Sequence, residues 1–266
     1  MFKELVFYLE ACESGSMFPN LASDTGIYAM TASNASQSSW GTYCGSDAYV
    51  DGHNIGSCLG DLFSVNWMED TEANDVSVET IQVQHDTVKT LTNMSPVCEF
   101  GDMSFKSEVI GDFEGTLSPT DSLDIQTMAE QLIGKAGAFY NHTMHPAAPK
   151  TNNVNSRDHD LYVLYERVMM TGSTEDMQAL EAELASRQFA DDLFDTHFPD
   201  LGEDAPGQVQ DYDCLRMLVT GIEDMCGEWT SYSLKYTGRL SQHCDTKSAD
   251  EISNVFVQVG QYCGAF

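Results

Sequence analysis

Basic residues are scarce in this chain: 12 Lys and Arg stand against 42 Asp and Glu in 266 residues, a formal net charge of −30. A surface so negative repels nucleic acid and anionic membranes, which excludes partners held through phosphate contacts. No run reaches the roughly 18 apolar residues of a membrane-spanning helix. Cys-x-x-Cys pairs and histidines at ligand spacing are missing, so neither a metal nor a cofactor is expected. Only Phe2, Lys3 and Glu4 separate Met1 from an apolar run, so no signal peptide is expected in these residues.

That apolar run, Leu5–Leu9, is the most informative segment present. Five bulky apolar residues in a row predict a strand buried on both faces, as in a parallel sheet between helices. The chain then turns abruptly small and polar at Glu10-Ala11-Cys12-Glu13-Ser14-Gly15-Ser16. Cys12 is thereby expected at the carboxyl end of a buried strand, where open α/β sheets place reactive groups. A lone cysteine there also fits an inert small hydrophobe.

The neighbouring motifs give that cysteine a meaning. Glu10-Ala11-Cys12-Glu13-Ser14-Gly15-Ser16-Met17 resembles the nucleophile segment of the legumains, the asparaginyl endopeptidases also called vacuolar processing enzymes. Further on, Ser38-Ser39-Trp40-Gly41-Thr42-Tyr43-Cys44 and Cys58-Leu59-Gly60-Asp61-Leu62-Phe63-Ser64-Val65-Asn66-Trp67 resemble that family's substrate-pocket loop. Val154-Asn155-Ser156-Arg157-Asp158-His159-Asp160-Leu161 is similar to the start of its carboxyl-terminal pro-region.

The resemblance implies an α/β fold, a partial caspase-like parallel sheet with flanking helices, followed by an all-α helical-bundle pro-region of death-domain type. Residues 1–116 would be the carboxyl-terminal half of the peptidase core, 117–155 a linker, and 156–266 the pro-region. It implies a cysteine endopeptidase cleaving after Asn, and after Asp in acid, in the vacuole, lysosome or secretory pathway. Cys12 would be the nucleophile. Glu10, Ser38, Ser39 and Asp61 would line the pocket for the residue before the cut, the carboxylates accepting from the Asn carboxamide. Without the resemblance, Glu10 and Asp61 read as solvated acids and Ser38 as a turn residue.

The partners so implied are Asn-containing peptide substrates and the chain's own pro-region as inhibitor. Asn141, Asn152, Asn153 and Asn155 become candidate cut sites. Four cysteines in the tail allow three connectivities; the resemblance suggests Cys214–Cys244 and Cys226–Cys263, with Cys44–Cys58 closing the pocket loop and Cys98 left as a buried thiol. Six paired cysteines imply an oxidising compartment. Asn34, Asn93 and Asn141 lie in glycosylation sequons.

One part of the mechanism is missing. Legumains carry the catalytic histidine ahead of the cysteine, on a strand ending in His-Gly. None of the seven histidines here precedes a glycine, and Cys12 lies close to the start, so the general base is expected off this polypeptide. The alternative function is a non-catalytic relative whose helical region binds and caps a full-length peptidase. Charge offers no simple latch, because residues 1–116 and 156–266 carry about −15 and −14. Local pairs through Arg157, Arg167 or Arg187 would have to hold such a cap.

Pattern places a second strand at Gly26–Met30 and helices at Leu62–Asp70, Val76–Leu91 and Ser122–Ile133. Leu180, Leu184, Phe189 and Leu193 read as the buried stripe of another.

Overall fold

A computed structural model describes residues 2–115, 150–199 and 209–264. The linker helix expected at Ser122–Ile133 and the sequon at Asn141 lie outside these. The chain divides into two compact units, Met1–Thr42 with Gly60–Asn153, and Tyr43–Leu59 with Val154–Phe266.

In the first unit, strands β1 (Leu5–Leu9) and β2 (Ile27–Thr31) pair in parallel, with Leu5 opposite Ile27 and Leu9 opposite Thr31. A strand that the pattern had not suggested, Cys98–Gly101, joins the other edge of β2 antiparallel, so the sheet is mixed rather than parallel. Val6 and Tyr8 of β1 and Tyr28 and Met30 of β2 face a core built with Phe63, Ile81, Val88, Val97, Phe105 and Ile110. The period of two sends Phe7 to the other face. There it meets Phe18 edge-on at 5.5 Å between centroids, and Phe18 lies 6.0 Å from Phe100. Helices therefore cover one face while a few aromatic rings partly cover the other. The expectation that β1 is buried on both faces fails: Phe7 is 41% exposed, and β2 is the deeply buried strand.

Helix α1 (Leu62–Ala73) extends the expected one. Helix α2 (Ile81–Leu91) starts later than Val76, because Thr80 caps it by accepting from Val83 N–H and Asp75 folds the preceding residues into a turn. Its buried residues Ile81, Gln84, His85, Val88 and Leu91 follow the helical repeat. A short helix, α3 (Gly111–Glu114), follows. Strands β3 (Trp40–Thr42) and β6 (Gly60–Asp61) pair antiparallel against α1, Gly41 opposite Asp61. With β4 (Tyr49–Val50) and β5 (His53–Asn54) of the second unit, Cys98–Gly101 becomes β7.

In the second unit, β4 and β5 form a hairpin whose two turn residues, Asp51 and Gly52, both have positive φ. An Asp-Gly pair suits that turn, since its twist matches the strands. Helices α4 (His159–Thr171), α5 (Thr174–His197), α6 (Tyr212–Cys226), α7 (Thr237–Thr246) and α8 (Ala249–Tyr262) follow. Leu193, Phe194, Phe198, Leu218, Ile222, Leu240, Ile252 and Val259 build their core. The suggested pairings Cys44–Cys58, Cys214–Cys244 and Cys226–Cys263 are all formed. Cys98 is free but only half-buried.

The expected stripe of α5 holds only in part. Leu193 is 2% exposed, but Leu184 and Phe189 are 50% and 40% exposed. At 3.6 residues per turn, Leu193 lies roughly 180° around the helix from Leu184, so the four residues never shared a face. Arg187 is buried in their stead. Its guanidinium stacks 4.3 Å from the Tyr232 ring and pairs with Asp158 and Glu183. Arg167 binds Asp176, and Arg157 donates to Ser231 O at 2.8 Å. These contacts of the three arginines organise the helical unit itself.

Candidate active site

The end of β1 feeds Glu10, Ala11 and Cys12 into a turn, where Glu13 takes a left-handed backbone conformation at φ 52°. A seam to the loop after β2 fixes this turn. Ser14 N–H donates to Ser33 Oγ at 3.2 Å, Ser33 N–H to Ser14 Oγ at 3.0 Å, and Ser33 Oγ to Ala11 O at 3.0 Å. Glu13 N–H reaches Gln37 O at 2.8 Å and Gly15 N–H reaches Ser33 O at 3.0 Å. Ser14 and Ser33 are fully buried, so these bonds are shielded from water.

Gly15 is required by closeness. A Cβ there would stand 2.9 Å from the carbonyl carbon of Asn34 and 3.0 Å from Ala35 N, both backbone atoms. A single 3-10 turn, Ser14–Met17, follows the cysteine. Sequence pattern had not suggested Ser14 or Ser33, because their seam spans 19 residues and neither belongs to a periodic element.

Cys12 is half-buried, with Sγ 3.6 Å from Ser39 Oγ. Ser39 is buried, and the half-buried Ser38 precedes it at the entry to β3. Asp61, exposed, lies on the strand paired with β3. Glu10 reaches helix α1: its Oε2 accepts Ser64 N–H at 2.8 Å. Ser64 is the third residue of α1, and Asp61 provides no side-chain cap, so Glu10 caps this helix from the residue after β1. Glu10 Oε1 is buried without a hydrogen-bond donor among the described residues. Desolvation pushes the Glu10 carboxyl up to about 7; the Ser64 N–H opposes this and the nearby Asp61 adds to it.

The first unit thus gathers Cys12, Ser39, Glu10 and Asp61 around the carboxyl end of β1 and the amino end of α1. The hydrogen-bond partner of the Cys12 thiol among the described residues is a serine, not a histidine. Within those residues no cluster of His, Cys, Asp and Glu could hold a metal, and no helix is long and apolar enough to cross a membrane. Of the sequons, Asn93 is exposed after α2 and Asn34 is half-buried, its Oδ1 accepting Ser36 N–H at 3.0 Å.

In the second unit the disulfide-closed loop Cys44–Cys58 is held by α4. Gly45 N–H donates to Tyr162 Oη at 2.7 Å, Ser57 Oγ lies 3.0 Å from His159 Nε2, and Asn54 Nδ2 donates to Glu166 Oε2 at 3.4 Å.

Comparison with known proteins agrees with this layout. Residues 1–116 match the family model described as Peptidase C13 family, and residues 200–260 match that of the legumain prodomain. The chain is 31% identical to the vacuolar-processing enzyme delta-isozyme of Arabidopsis thaliana, over 92% of this chain and 54% of that enzyme. It is 33% identical to a vacuolar-processing enzyme of Vicia sativa, over 94% of this chain and 53% of the relative. The beta-isozyme 1 of Oryza sativa subsp. indica is also 33% identical, over 92% and 51%. The chain spans about half the length of these curated relatives. A cysteine at the tip of β1, the three disulfides and both family matches lead to one conclusion: the chain belongs to the legumain family of C13 peptidases.

Proposed function

We propose that this chain supplies the nucleophile-bearing part of a cysteine endopeptidase that cleaves after Asn, and after Asp in acid, during vacuolar or secretory protein processing. In this reading the Cys12 thiolate attacks the scissile carbonyl carbon, and the carbonyl electrons move to oxygen, where backbone N–H groups hold the oxyanion. Glu10 Oε1 and Asp61 accept from the carboxamide of the substrate Asn, while the Ser38 and Ser39 hydroxyls bridge to it. An apolar side chain in that place leaves the buried Glu10 acceptor unpaired, which disfavours it. The observation that carries the reading is the Cys12 thiol beside Ser39, with the buried, half-satisfied carboxyl of Glu10 two residues upstream.

The general base is assigned outside the described residues, because a serine hydroxyl does not take a thiol proton near neutral pH. The helical unit is read as the inhibitory pro-region. Its hold on the Cys44–Cys58 loop through Tyr162, His159 and Glu166 supports that reading, since the loop resembles the family's substrate-pocket loop.

The 266-residue chain alone is expected to give no measurable hydrolysis of an Asn-containing peptide at acid pH. Turnover that disappears in Cys12→Ala overturns the assignment of the base. Absence of turnover combined with inhibition of a full-length relative favours the non-catalytic capping role instead.

A further inference from the structure

The turn after β1 carries a row of backbone N–H groups from Cys12 to Ser16, and those after Cys12 are spent inside the fold. Glu13 N–H donates to Gln37 O, Ser14 N–H to Ser33 Oγ, Gly15 N–H to Ser33 O and Ser16 N–H to Glu13 O. Among the described residues no acceptor takes the N–H of Cys12 itself. An open N–H on the residue that carries the sulfur is the kind of donor an oxyanion needs.

The other end of the same peptide aims that N–H. The Ala11–Cys12 bond is trans, so the Ala11 carbonyl and the Cys12 N–H point in opposite directions from one rigid plane. Among the described residues, the donor to Ala11 O is the Ser33 hydroxyl at 3.0 Å; its other carbonyl neighbour, Asn34 O, is farther at 3.4 Å. Ser14 Oγ, 3.0 Å from Ser33 Oγ, already receives the Ser33 N–H and has its own proton to give, which leaves the Ser33 proton for Ala11. Ser33 is held from every side. It is fully buried, its Oγ accepts Ser14 N–H at 3.2 Å, and its carbonyl receives Gly15 N–H at 3.0 Å and the Thr31 hydroxyl at 2.9 Å.

We propose that Ser33 is a positioning residue for the cysteine chemistry: its hydroxyl fixes the Ala11 carbonyl and thereby turns the Cys12 N–H toward the oxygen of the carbonyl under attack. The inference rests on the reading of Cys12 as the nucleophile. As the thiolate adds, its electron pair forms the sulfur–carbon bond, the carbonyl π pair moves to oxygen, and the Cys12 N–H donates to that oxygen. Donation by Ser33 to the same amide also makes its N–H the stronger donor, because bonds in series polarise one another. Ser33 itself acts through the backbone and does not contact Cys12 Sγ, whose hydrogen-bond partner is Ser39.

The test compares two reagents at Cys12 of the full chain, in wild type and in Ser33→Ala, with adducts located by mass spectrometry. A peptidyl Asn aldehyde adds to the thiol reversibly and its oxygen gains negative charge on the way to the hemithioacetal. Iodoacetamide alkylates the same sulfur and expels iodide, with no charge developing on its carbonyl. Ser33→Ala is expected to weaken aldehyde binding by about tenfold or more, while the iodoacetamide rate changes by less than about threefold. A general loosening of the turn moves both alike, so an unchanged ratio of the two overturns the proposal. Should Ser33→Ala not fold, Ser33→Cys keeps the volume but offers only a weak donor; aldehyde binding weaker than wild type supports the proposal, and binding equal to wild type overturns it. A wild-type Cys12 that forms no aldehyde adduct overturns the nucleophile reading and this inference together, whereas an adduct undiminished by Ser33→Ala overturns the inference alone.

Discussion

Replacing Gly15 by Ala is expected to destabilise the first unit by about 1–3 kcal/mol and to slow reaction at Cys12 by about a hundredfold. The added methyl meets the carbonyl carbon and Cα of Asn34 and the nitrogen of Ala35. These are backbone atoms and cannot rotate aside. Either the turn carrying Cys12 lifts or the loop after β2 retreats, and both movements pull on the Ser14–Ser33 bonds. A displacement of about 1 Å is enough to spoil an attack geometry. Gly238→Ala in α7 is the control. No atom lies within 4 Å of its Cβ position, so it should be neutral or stabilising by about 0.5–1 kcal/mol. Urea midpoints together with the rate of Cys12 alkylation check both effects. A Gly15→Ala chain with unchanged midpoint and rate would show that the seam does not hold the nucleophile.

Glu10→Gln carries the second large effect. In the wild type the carboxyl gains a proton as pH falls through about 7. Its carboxylate form accepts from an Asn carboxamide, whereas its protonated form can donate to the carboxylate of a substrate Asp. Preference for Asp over Asn in a peptidyl electrophile aimed at Cys12 should therefore rise as pH falls from 8 to 5, by about tenfold or more. An amide cannot change its charge, so Glu10→Gln should flatten that profile. The same substitution removes one source of acid stabilisation, because a raised carboxyl strengthens the fold below its ordinary value and loses that contribution above about 7. Equal Asp-to-Asn profiles in both chains would remove Glu10 from the pocket.

Leu5–Leu9 announced a strand through local apolarity alone, and the polar break after it located the cysteine. Local pattern could not say which strand is buried deepest. That depends on β7 pairing with β2 and on the aromatic rings that partly shield Phe7. Helix α2 begins later than the apolar pattern from Val76 suggests, because Asp75 and Thr80 supply turn and cap bonds that side-chain polarity does not reveal.

The disulfides came from resemblance, since four cysteines in a helical tail admit three pairings on spacing alone. The pocket acids were named in the same way. What no pattern offered was how Glu10 is held, because Ser64 N–H lies 54 residues along the chain.

We propose that Cys12 is a nucleophile aimed at the carbonyl of an Asn residue. Its most direct measurement is mass-spectrometric mapping of the full chain after exposure to a peptidyl Asn electrophile at pH 5.5, beside the matching Leu compound. Adduct is expected at Cys12 with the Asn compound, little with the Leu compound, and no selective adduct at the other free cysteine among the described residues, Cys98. Equal labelling by the two compounds, or labelling of Cys98 in place of Cys12, would contradict it.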